Sequence, residues 1–417
     1  MQQSNSDTYQ RQLIWTLSIT FGVVFFDRNA ANFLSPFIAR DLGLSFTQVG
    51  LLSAGLSLTW ALSGTLGGAI SDRTGRRKLP LLIAICAFSI CSALSGLAAS
   101  FAALLATRLL MGISEGPILP VSQALLAEES AEENRGHNMG VMQNTGSAFL
   151  GSFLAPLVLV AIAQRLGWRA AFFLAAAPGL VMAAIVWRIV REPRRVQSHD
   201  SRDSLSLRRH YLPLLRYRNM ALCTLISIVI VTWVVVGWAF LPQYYTQVLG
   251  FDERTMSWMM AVLGLSATSF AFIVPRLSDR FGRKPVVVAF CLIGALGPFV
   301  LLNAQAPPAL LAVGIFIGWS ASGTMPLFMG TIPAETVVQG SVATALGLVM
   351  GVGEVLGGVV GPTLAGMAAD RWGLTAPLWI EVGCAIAGGL IALGLIETAP
   401  ARSATVVSTR SAARARQ

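Results

Sequence analysis

The sequence predicts an all-α integral membrane protein whose twelve transmembrane helices form two six-helix bundles related by pseudo-symmetry. Of its 417 residues, 54% are hydrophobic and 12% are charged, whereas a typical soluble domain has about 25% charged residues. A transmembrane helix needs about 20 mainly apolar residues, and twelve stretches of that kind follow one another along the chain. A loop motif that occurs once in each half indicates that the halves are related.

Short segments rich in charge, glycine or proline separate most of the apolar stretches, and one long polar segment divides them into two groups of six. We expect a cytoplasmic tail at 1–12, a six-helix bundle at 13–190, a cytoplasmic loop at 191–218, a second bundle at 219–396 and a disordered tail at 397–417. The predicted spans 1 to 12 are 14–38, 47–70, 80–99, 101–125, 137–163, 170–190, 219–247, 254–277, 285–304, 307–330, 340–368 and 375–396.

The distribution of basic residues predicts the orientation. Of the 30 lysines and arginines, 23 lie on the side of the membrane that carries the termini. They are in the termini, in the loops that run from an even-numbered span to the next span, or at the adjoining helix ends. Two lie within spans, and the opposite loops carry the five residues Arg40, Arg165, Arg169, Arg254 and Arg371. Because cytoplasmic loops are enriched in basic residues, we expect a multi-pass protein of the cell (inner or plasma) membrane with both termini in the cytoplasm. The net charge of +10 then reflects topology, and we expect no nucleic-acid partner.

The residue pattern is not that of an enzyme. The five cysteines lie within apolar runs and the three histidines at or outside span ends, so neither set has the spacing of a metal site or a disulfide framework. No nucleophile motif or nucleotide-binding loop is present. We therefore expect no catalytic residues, no cofactor, no metal and no use of ATP.

The repeated motif joins the second and third spans of each half. It reads "SDRTGRRK" at 71–78 and "SDRFGRKP" at 278–285, which places Asp72 and Asp279 at equivalent positions of the two halves. The strings "LGSFLAP" (150–156) and "GGVVGP" (357–362) have nearly the same offset. Parallel repeats of this type place a substrate site between the halves, near the bilayer midplane.

Twelve spans, a long central loop and a repeated D-R-x-G-R-[RK] motif resemble the major facilitator superfamily, and the resemblance covers about residues 12–396. The string "EENRGHNMG" (132–140) has the R-G-x-x-x-G spacing common in that superfamily. The resemblance implies that these loops form a cytoplasmic gate, although their basic residues could also serve only to fix topology. The predicted gate residues are Asp72, Arg73, Gly75, Arg76, Arg135, Asp279, Arg280, Gly282 and Arg283.

Ionisable residues within spans are costly and are functional candidates by default. Asp27 and Arg28 lie near the middle of span 1, and Arg108 and Glu115 lie in span 4. The last two are seven residues apart, so they point the same way and lie about 10 Å apart along the helix axis. The four charges sum to zero. Binding of a carboxylate would add one negative charge, and protonation of Asp27 or Glu115 would restore neutrality, which predicts anion–proton symport. The alternative is an inert buried salt-bridge cluster.

The "DR" of span 1 and the R-x6-E of span 4 resemble the anion:cation symporter branch of the superfamily. The resemblance implies that Asp27 and Glu115 couple protons and that Arg28 and Arg108 engage a substrate carboxylate. Glu354 in span 11 is a candidate second proton site, with a structural hydrogen bond as the alternative. Glu381 in span 12 is expected at the membrane interface.

Further pocket candidates are polar or aromatic. Gln143 and Asn144 in span 5 could orient a carboxylate or join helices. Trp238 and Tyr244 in span 7 could close over a substrate or belong to the interfacial aromatic belt.

Together these features predict a secondary active transporter that takes up a small organic anion with protons by alternating access, as a monomer. The alternatives are a proton-driven exporter of drugs or metabolites and a non-transporting sensor on a transporter frame. Exporters often have a G-P-rich motif in span 5, where this chain has "LGSFLAP", so export is less favoured.

Overall fold

A computed structural model describes residues 2–130, 132–192, 212–303, 306–338 and 341–399, without the side chains of residues 2–7, 69, 72–73, 132–137, 144, 212 and 343. Every regular element within these ranges is helical. The all-α prediction is therefore confirmed.

Eleven helices in the part of the chain that the structure describes are long and apolar enough to cross a membrane. They correspond one to one with predicted spans 2 to 12, and each begins within four residues of the predicted start. Their bounds are Phe46–Gly68, Lys78–Gly96, Phe101–Glu129, Asn138–Leu166, Trp168–Ile189, Arg218–Gln247, Glu253–Phe281, Arg283–Leu302, Pro308–Thr336, Thr344–Trp372 and Thr375–Ala392.

Span 1 is not among these eleven helices, and it is interrupted near its middle. Its helices are Gln2–Arg28, Ala30–Phe33 and Ser35–Leu42, so the first helix begins ahead of the predicted span and ends in its middle. No proline or glycine stands at the interruption at Asn29. Backbone hydrogen bonds from Asn29 to Phe25 and from Phe33 to Asn29 continue across it, both at 3.1 Å.

The repeat is visible in local geometry. A π-helical segment, Ser147–Leu154, interrupts span 5, and a second one, Gly353–Val360, interrupts span 11 at the equivalent position of the other half. Gly167 and Gly373, which have the same offset as the two π-helical segments, both have φ +84° and both end the preceding helix. Only glycine adopts this backbone conformation readily, so the two halves turn into spans 6 and 12 in the same way.

The chain forms two compact units, each taken over its described residues. The first unit contains Met1–Arg202, Val235–Thr268 and Val359–Pro377, and the second contains Asp203–Val234, Ser269–Gly358 and Leu378–Gln417. The first unit thus includes spans 1 to 6 together with the parts of spans 7, 8, 11 and 12 that lie around the turns at Gly250 and Gly373. The predicted domain limits follow the sequence repeat and stay a prediction.

Two contacts show how those added segments pack within the first unit. The carboxylate of Asp370 in span 11 accepts hydrogen bonds from the backbone N–H groups of Phe46 and Thr47, at 2.8 and 2.9 Å. These groups begin the helix of span 2, where unpaired N–H groups and the helix dipole favour a negative charge. A Cβ on Gly50 would lie 2.2 Å from the carbonyl oxygen of Pro362, so the two spans approach at backbone distance.

Candidate functional site

The interruption of span 1 fixes the position of the first two charges. Asp27 and Arg28 are the last residues of the helix Gln2–Arg28. The next residue, Asn29, is buried, and its Nδ2 donates a hydrogen bond to the carbonyl oxygen of Gly151 at 3.2 Å. Gly151 lies in the π-helical segment of span 5, and such segments occur frequently at functional sites. This hydrogen bond therefore joins the interruption of span 1 to the π-helical segment of span 5, beside Asp27 and Arg28.

Asp27 and Arg108 lie close together and are held by serines of span 3. Asp27 is fully buried, and its Oδ1 accepts a hydrogen bond from Ser92 Oγ at 2.6 Å. Arg108 is also buried, and its Nη2 donates to Ser95 Oγ at 2.7 Å. The guanidinium carbon lies 5.0 Å from the ring centre of Phe172, within the range of a cation–π contact. The charges of Asp27 and Arg108 attract each other.

Arg28 and Glu115 form the second opposed pair. Arg28 Nη1 lies 3.8 Å from Glu115 Oε2. The side chain of Glu115 has no exposed surface, whereas that of Arg28 is 15% exposed. The Arg28 guanidinium carbon lies 4.8 Å from the ring centre of Trp60 and 5.7 Å from that of Phe25. Arg28 is therefore the charged group of the four that an incoming molecule reaches first.

Spans 2 and 4 pack closely in the region of Glu115. A Cβ on Gly112 would lie 2.5 Å from the carbonyl oxygen of Leu56, and one on Gly116 would lie 2.6 Å from that of Trp60. Ser63 Oγ also donates to the carbonyl oxygen of Gly112 at 2.9 Å. The two glycines therefore let the backbones of spans 2 and 4 approach closely on either side of Glu115 in sequence.

We call Asp27, Arg28, Arg108 and Glu115 the charge quartet. The structure brings all four together, as the sequence pattern predicts. Buried polar atoms usually have a hydrogen-bond partner, but several in the quartet have none within the described part of the chain. These atoms are Asp27 Oδ2, Arg28 Nη1, Arg108 Nε and Nη1, and both carboxylate oxygens of Glu115.

The other predicted substrate-binding residues are placed as follows. Gln143 Oε1 accepts a hydrogen bond from Gln123 Nε2 at 3.4 Å, and the side chain of Asn144 lies outside the described residues. The ring of Trp238 meets that of Phe33 edge-on at 5.7 Å. Tyr244 is buried, with 2% of its surface exposed. Their roles at a substrate site stay predictions.

The two acidic residues of spans 11 and 12 lie in the second unit. Glu354 is half-buried in the π-helical segment of span 11. Glu381 is buried, with 1% of its surface exposed, and its location at the depth of the membrane interface stays a prediction. Hydropathy locates a residue along the helix but not the face on which it lies. The equivalent residue of span 6, Ala175, is fully buried as well, so the packing of this face is common to both halves.

The first D-R-x-G-R loop is organised by Arg77. Its Nη1 donates to Ser71 Oγ at 3.0 Å, and its Nη2 lies 3.2 Å from Glu128 Oε1 in span 4. Glu192 accepts from the backbone N–H groups of Arg77 and Lys78, where the helix of span 3 begins. The side chains of three predicted gate residues, Asp72, Arg73 and Arg135, lie outside the described residues.

Arg283 has the same arrangement in the second half. It donates to Ser278 Oγ at 2.7 Å, forms an ion pair with Glu335 at 2.9 Å and also contacts Asp279. Glu397 accepts from the backbone N–H of Arg283 at 2.8 Å. We call these two sets the Arg77 cluster (Ser71, Arg77, Glu128, Glu192) and the Arg283 cluster (Ser278, Arg283, Glu335, Glu397).

The two clusters show where motif alignment misleads. Aligned by sequence, Arg76 corresponds to Arg283, but the contacts make Arg77 its counterpart, while Arg76 is exposed. Arg77 and the four glutamates were not among the predicted gate residues. The glutamates stand far from the loop motif in the sequence, and the only available signal was their recurrence at nearly equivalent positions of the two halves. Of the remaining predicted residues, Gly75 and Gly282 have φ +62° and +100° at their turns, and Arg280 lies over the ring of Phe281.

Membrane-length helices arranged in two related halves define a polytopic membrane protein. The model of the Major Facilitator Superfamily matches residues 17–252 and 225–416. The chain belongs to this superfamily and is a membrane transporter rather than an enzyme. The predicted family and fold are confirmed.

Three known proteins illustrate the similarity. The chain is 27% identical to the hexuronate transporter of Bacillus subtilis (strain 168), over 88% of this chain and 89% of that protein. It is 26% identical to the gentisate transporter of Corynebacterium glutamicum, over 86% and 81% of the two chains. The crystal structure of a D-xylose–proton symporter superposes with a TM-score of 0.75 at 19% identity, over 93% of this chain and 98% of the other. At that identity the structural likeness shows the fold alone.

Proposed function

We propose that the protein is a secondary active transporter that takes up a small organic carboxylate together with protons by alternating access. The main observation in support is the charge quartet, in which two acids and two bases lie together inside the protein and one base, Arg28, has exposed surface. We further propose that it acts as a monomer in the cell membrane, with both termini in the cytoplasm.

Charge balance supports the coupling. Transfer of an ion into a low-dielectric interior costs several kcal/mol unless an opposite charge compensates it. The quartet by itself is neutral, so a carboxylate that contacts Arg28 would leave Glu115 sharing its cation with a second anion. Protonation of Glu115 removes this conflict. Anion binding and proton binding then favour each other, which supports symport.

The geometry favours different roles for the two arginines. Arg28 is stacked on Trp60 and has exposed surface, so it is the proposed ligand of the substrate carboxylate. Arg108 is buried against Phe172 and bound to Ser95. It is better placed to balance the charge of Asp27 than to meet substrate directly. Asp27 would then serve as the acid whose protonation is controlled by Arg108.

The class of substrate follows from Arg28 and its surroundings. A guanidinium recognises carboxylates through paired N–H donors, and the rings of Trp60 and Phe25 offer apolar contact beside it. The hexuronate and gentisate transporters are named for organic acids, which supports a carboxylate with a hydroxylated or aromatic body.

The Arg77 and Arg283 clusters are the proposed gate elements. Each ties the loop between two spans to a glutamate of span 4 or span 10 and caps a helix N-terminus with a second glutamate. When such contacts break and re-form, the equivalent loop ends of the two halves can open and close, as alternating access requires.

Uptake into proteoliposomes tests the proposal. Carboxylates such as a hexuronate and gentisate should accumulate when the outside is acidified, and the corresponding amides should not. A matched experiment with equal pH on both sides and labelled substrate inside measures exchange. Accumulation that is indifferent to the pH gradient would contradict proton coupling, and equal transport of acid and amide would contradict recognition of the carboxylate.

A further inference from the structure

A groove of about 410 Å³ lies on the first unit, along the part of span 1 that precedes the charge quartet. Its lining includes Thr8, Arg11, Gln12, Trp15, Ile19 and, from the end of span 6, Ile189. The proposed transport mechanism uses none of these residues.

The groove changes from polar to apolar along its length. Thr8, Arg11, Trp15 and Ile19 recur at intervals of three and four residues, so they lie on one face of the helix. With a rise of 1.5 Å per residue, Ile19 lies about 12 Å beyond Arg11 along the axis. Hydrogen-bonding side chains thus occupy one end of the groove, and Trp15 and Ile19 line the other.

Core packing sets the direction of this face. Leu13 and Leu17 on the opposite side of the helix are completely buried, whereas Trp15 and Ile19 are 54% and 43% exposed. Rotation of the helix would expose both leucines. The groove is therefore a fixed feature of the first unit.

The polar end of the groove is basic. Arg11 is exposed and forms no ion pair with any residue that the structure describes, and no acidic side chain is among the described lining residues. Arg188 and Arg191, both exposed, flank Ile189. The backbone N–H of Arg191 donates to Tyr9 Oη at 3.0 Å, which holds the end of span 6 against span 1.

We propose that this groove binds one anionic phospholipid. Arg11 would hold the phosphate, Gln12 and Thr8 would contact the polar headgroup, and the acyl chains would run along Trp15 and Ile19. The order of groups along a phospholipid matches the order of side chains along the groove. Basic residues beside a membrane attract anionic headgroups, and tryptophan favours the boundary between headgroups and acyl chains. The exposed Trp187 nearby has the same preference.

Native mass spectrometry of the purified full-length protein tests the assignment, with phosphatidylglycerol and phosphatidylcholine of identical acyl chains as the probes. We expect one phosphatidylglycerol to bind more tightly than phosphatidylcholine. Arg11→Gln should weaken phosphatidylglycerol binding about fivefold, the effect of one basic residue at an anionic surface, and should leave phosphatidylcholine binding unchanged. Arg11→Lys, which keeps the charge, should retain the preference.

Two further variants distinguish a specific lipid site from general electrostatic attraction to anionic lipid. Arg216→Gln removes another exposed arginine that is also beside an exposed aromatic residue, Tyr217, and should leave phosphatidylglycerol binding unchanged. Trp15→Ser should weaken binding of both lipids, because the acyl contact is lost. Equal binding of the two lipids by the parent protein would overturn the proposal, as would equal losses for Arg11→Gln and Arg216→Gln. Unchanged binding by Trp15→Ser would show that only the headgroup is attracted, which also contradicts it.

Discussion

Replacement of Arg28 by alanine is the sharpest test of how the transporter holds its substrate. At about 4 Å and an effective dielectric constant of about 20, two opposite unit charges attract each other by about 4 kcal/mol. Part of this attraction is offset by desolvation, and the net value of a hydrogen bond to a charged group is about 1.5–3 kcal/mol. Since about 1.4 kcal/mol corresponds to a factor of ten, Arg28→Ala should raise the Kd of a carboxylate substrate about 10- to 150-fold.

The removal of Arg28 has a second effect that must be separated from the first. It also removes the cation beside Glu115, which lies 3.8 Å away and is buried. Glu115→Gln in the Arg28→Ala background should restore thermal stability, because no unpaired charge then remains. It should not restore carboxylate affinity, because the guanidinium is still absent. Arg28→Lys keeps the charge but loses the planar fork and stacking on Trp60, so its affinity should lie between those of the parent and Arg28→Ala.

Equilibrium binding of a labelled carboxylate to purified protein, by calorimetry or scintillation proximity, measures these differences. Arg169→Ala is the matched control, because Arg169 is an exposed arginine in an ion pair with Asp41 at 2.6 Å and exposed pairs contribute little to stability. Its Kd should equal that of the parent. A folded Arg28→Ala protein with the parental Kd would refute the assignment of Arg28 as the carboxylate ligand.

Three other predictions address coupling, gating and folding. Glu115→Gln should abolish accumulation driven by a proton gradient but retain exchange of labelled substrate; gradient-driven accumulation by this variant would exclude Glu115 as the coupling acid. Arg77→Gln should change the initial transport rate while leaving equilibrium substrate binding unchanged, whereas Arg76→Gln, at the neighbouring exposed arginine, should change neither. Asp252 Oδ1 accepts a hydrogen bond from the backbone N–H of Thr255 at 3.2 Å and caps the helix of span 8, so Asp252→Ala should lower the free energy of unfolding by about 1 kcal/mol. Hydrogen bonding to Thr255 lowers the pKa of Asp252. The loss of stability in Asp252→Ala should therefore be present above the ordinary aspartate pKa of about 4 and vanish as the pH falls through the lower folded-state pKa. Thermal unfolding at several pH values measures this dependence.

The helices and the charge quartet could be predicted because polar and charged groups are costly to place in a membrane. A span is recognisable since the bilayer excludes polar residues over about 20 positions, and Asp27, Arg28, Arg108 and Glu115 stand out since each violates that exclusion. Their serine partners, Ser92 and Ser95, could not be predicted in the same way. Serine is tolerated at many positions of a membrane helix, so its presence does not indicate which group it contacts.

Other features depend on relations that a single sequence does not display. Asn29, at the interruption of span 1, donates a hydrogen bond to Gly151, which is distant in sequence, and no proline or glycine marks this position. The equivalence of Arg77 and Arg283 depends on the path of each loop, which differs by one residue between the halves. The burial of Glu381 depends on which face of span 12 packs inward, and the apolar surroundings of this residue give no periodicity to reveal it.

The two halves share the contacts of the arginine clusters but not the charges of the quartet. Each half has an arginine held by a serine and a glutamate, with a second glutamate at the helix N-terminus. When the halves are aligned on the turn glycines Gly43 and Gly250, Val234 and Val235 take the places of Asp27 and Arg28. The preceding residue, Trp233, is buried with its ring centre 4.4 Å from that of Trp319. Apolar and aromatic side chains therefore stand in the second half where the first half has Asp27 and Arg28. A second set of four buried charges would add further desolvation costs without adding a substrate contact. The proposed gate, in contrast, needs equivalent contacts in both halves. We therefore expect changes in the quartet to alter affinity and coupling, and changes in either arginine cluster to alter the rate of the conformational cycle.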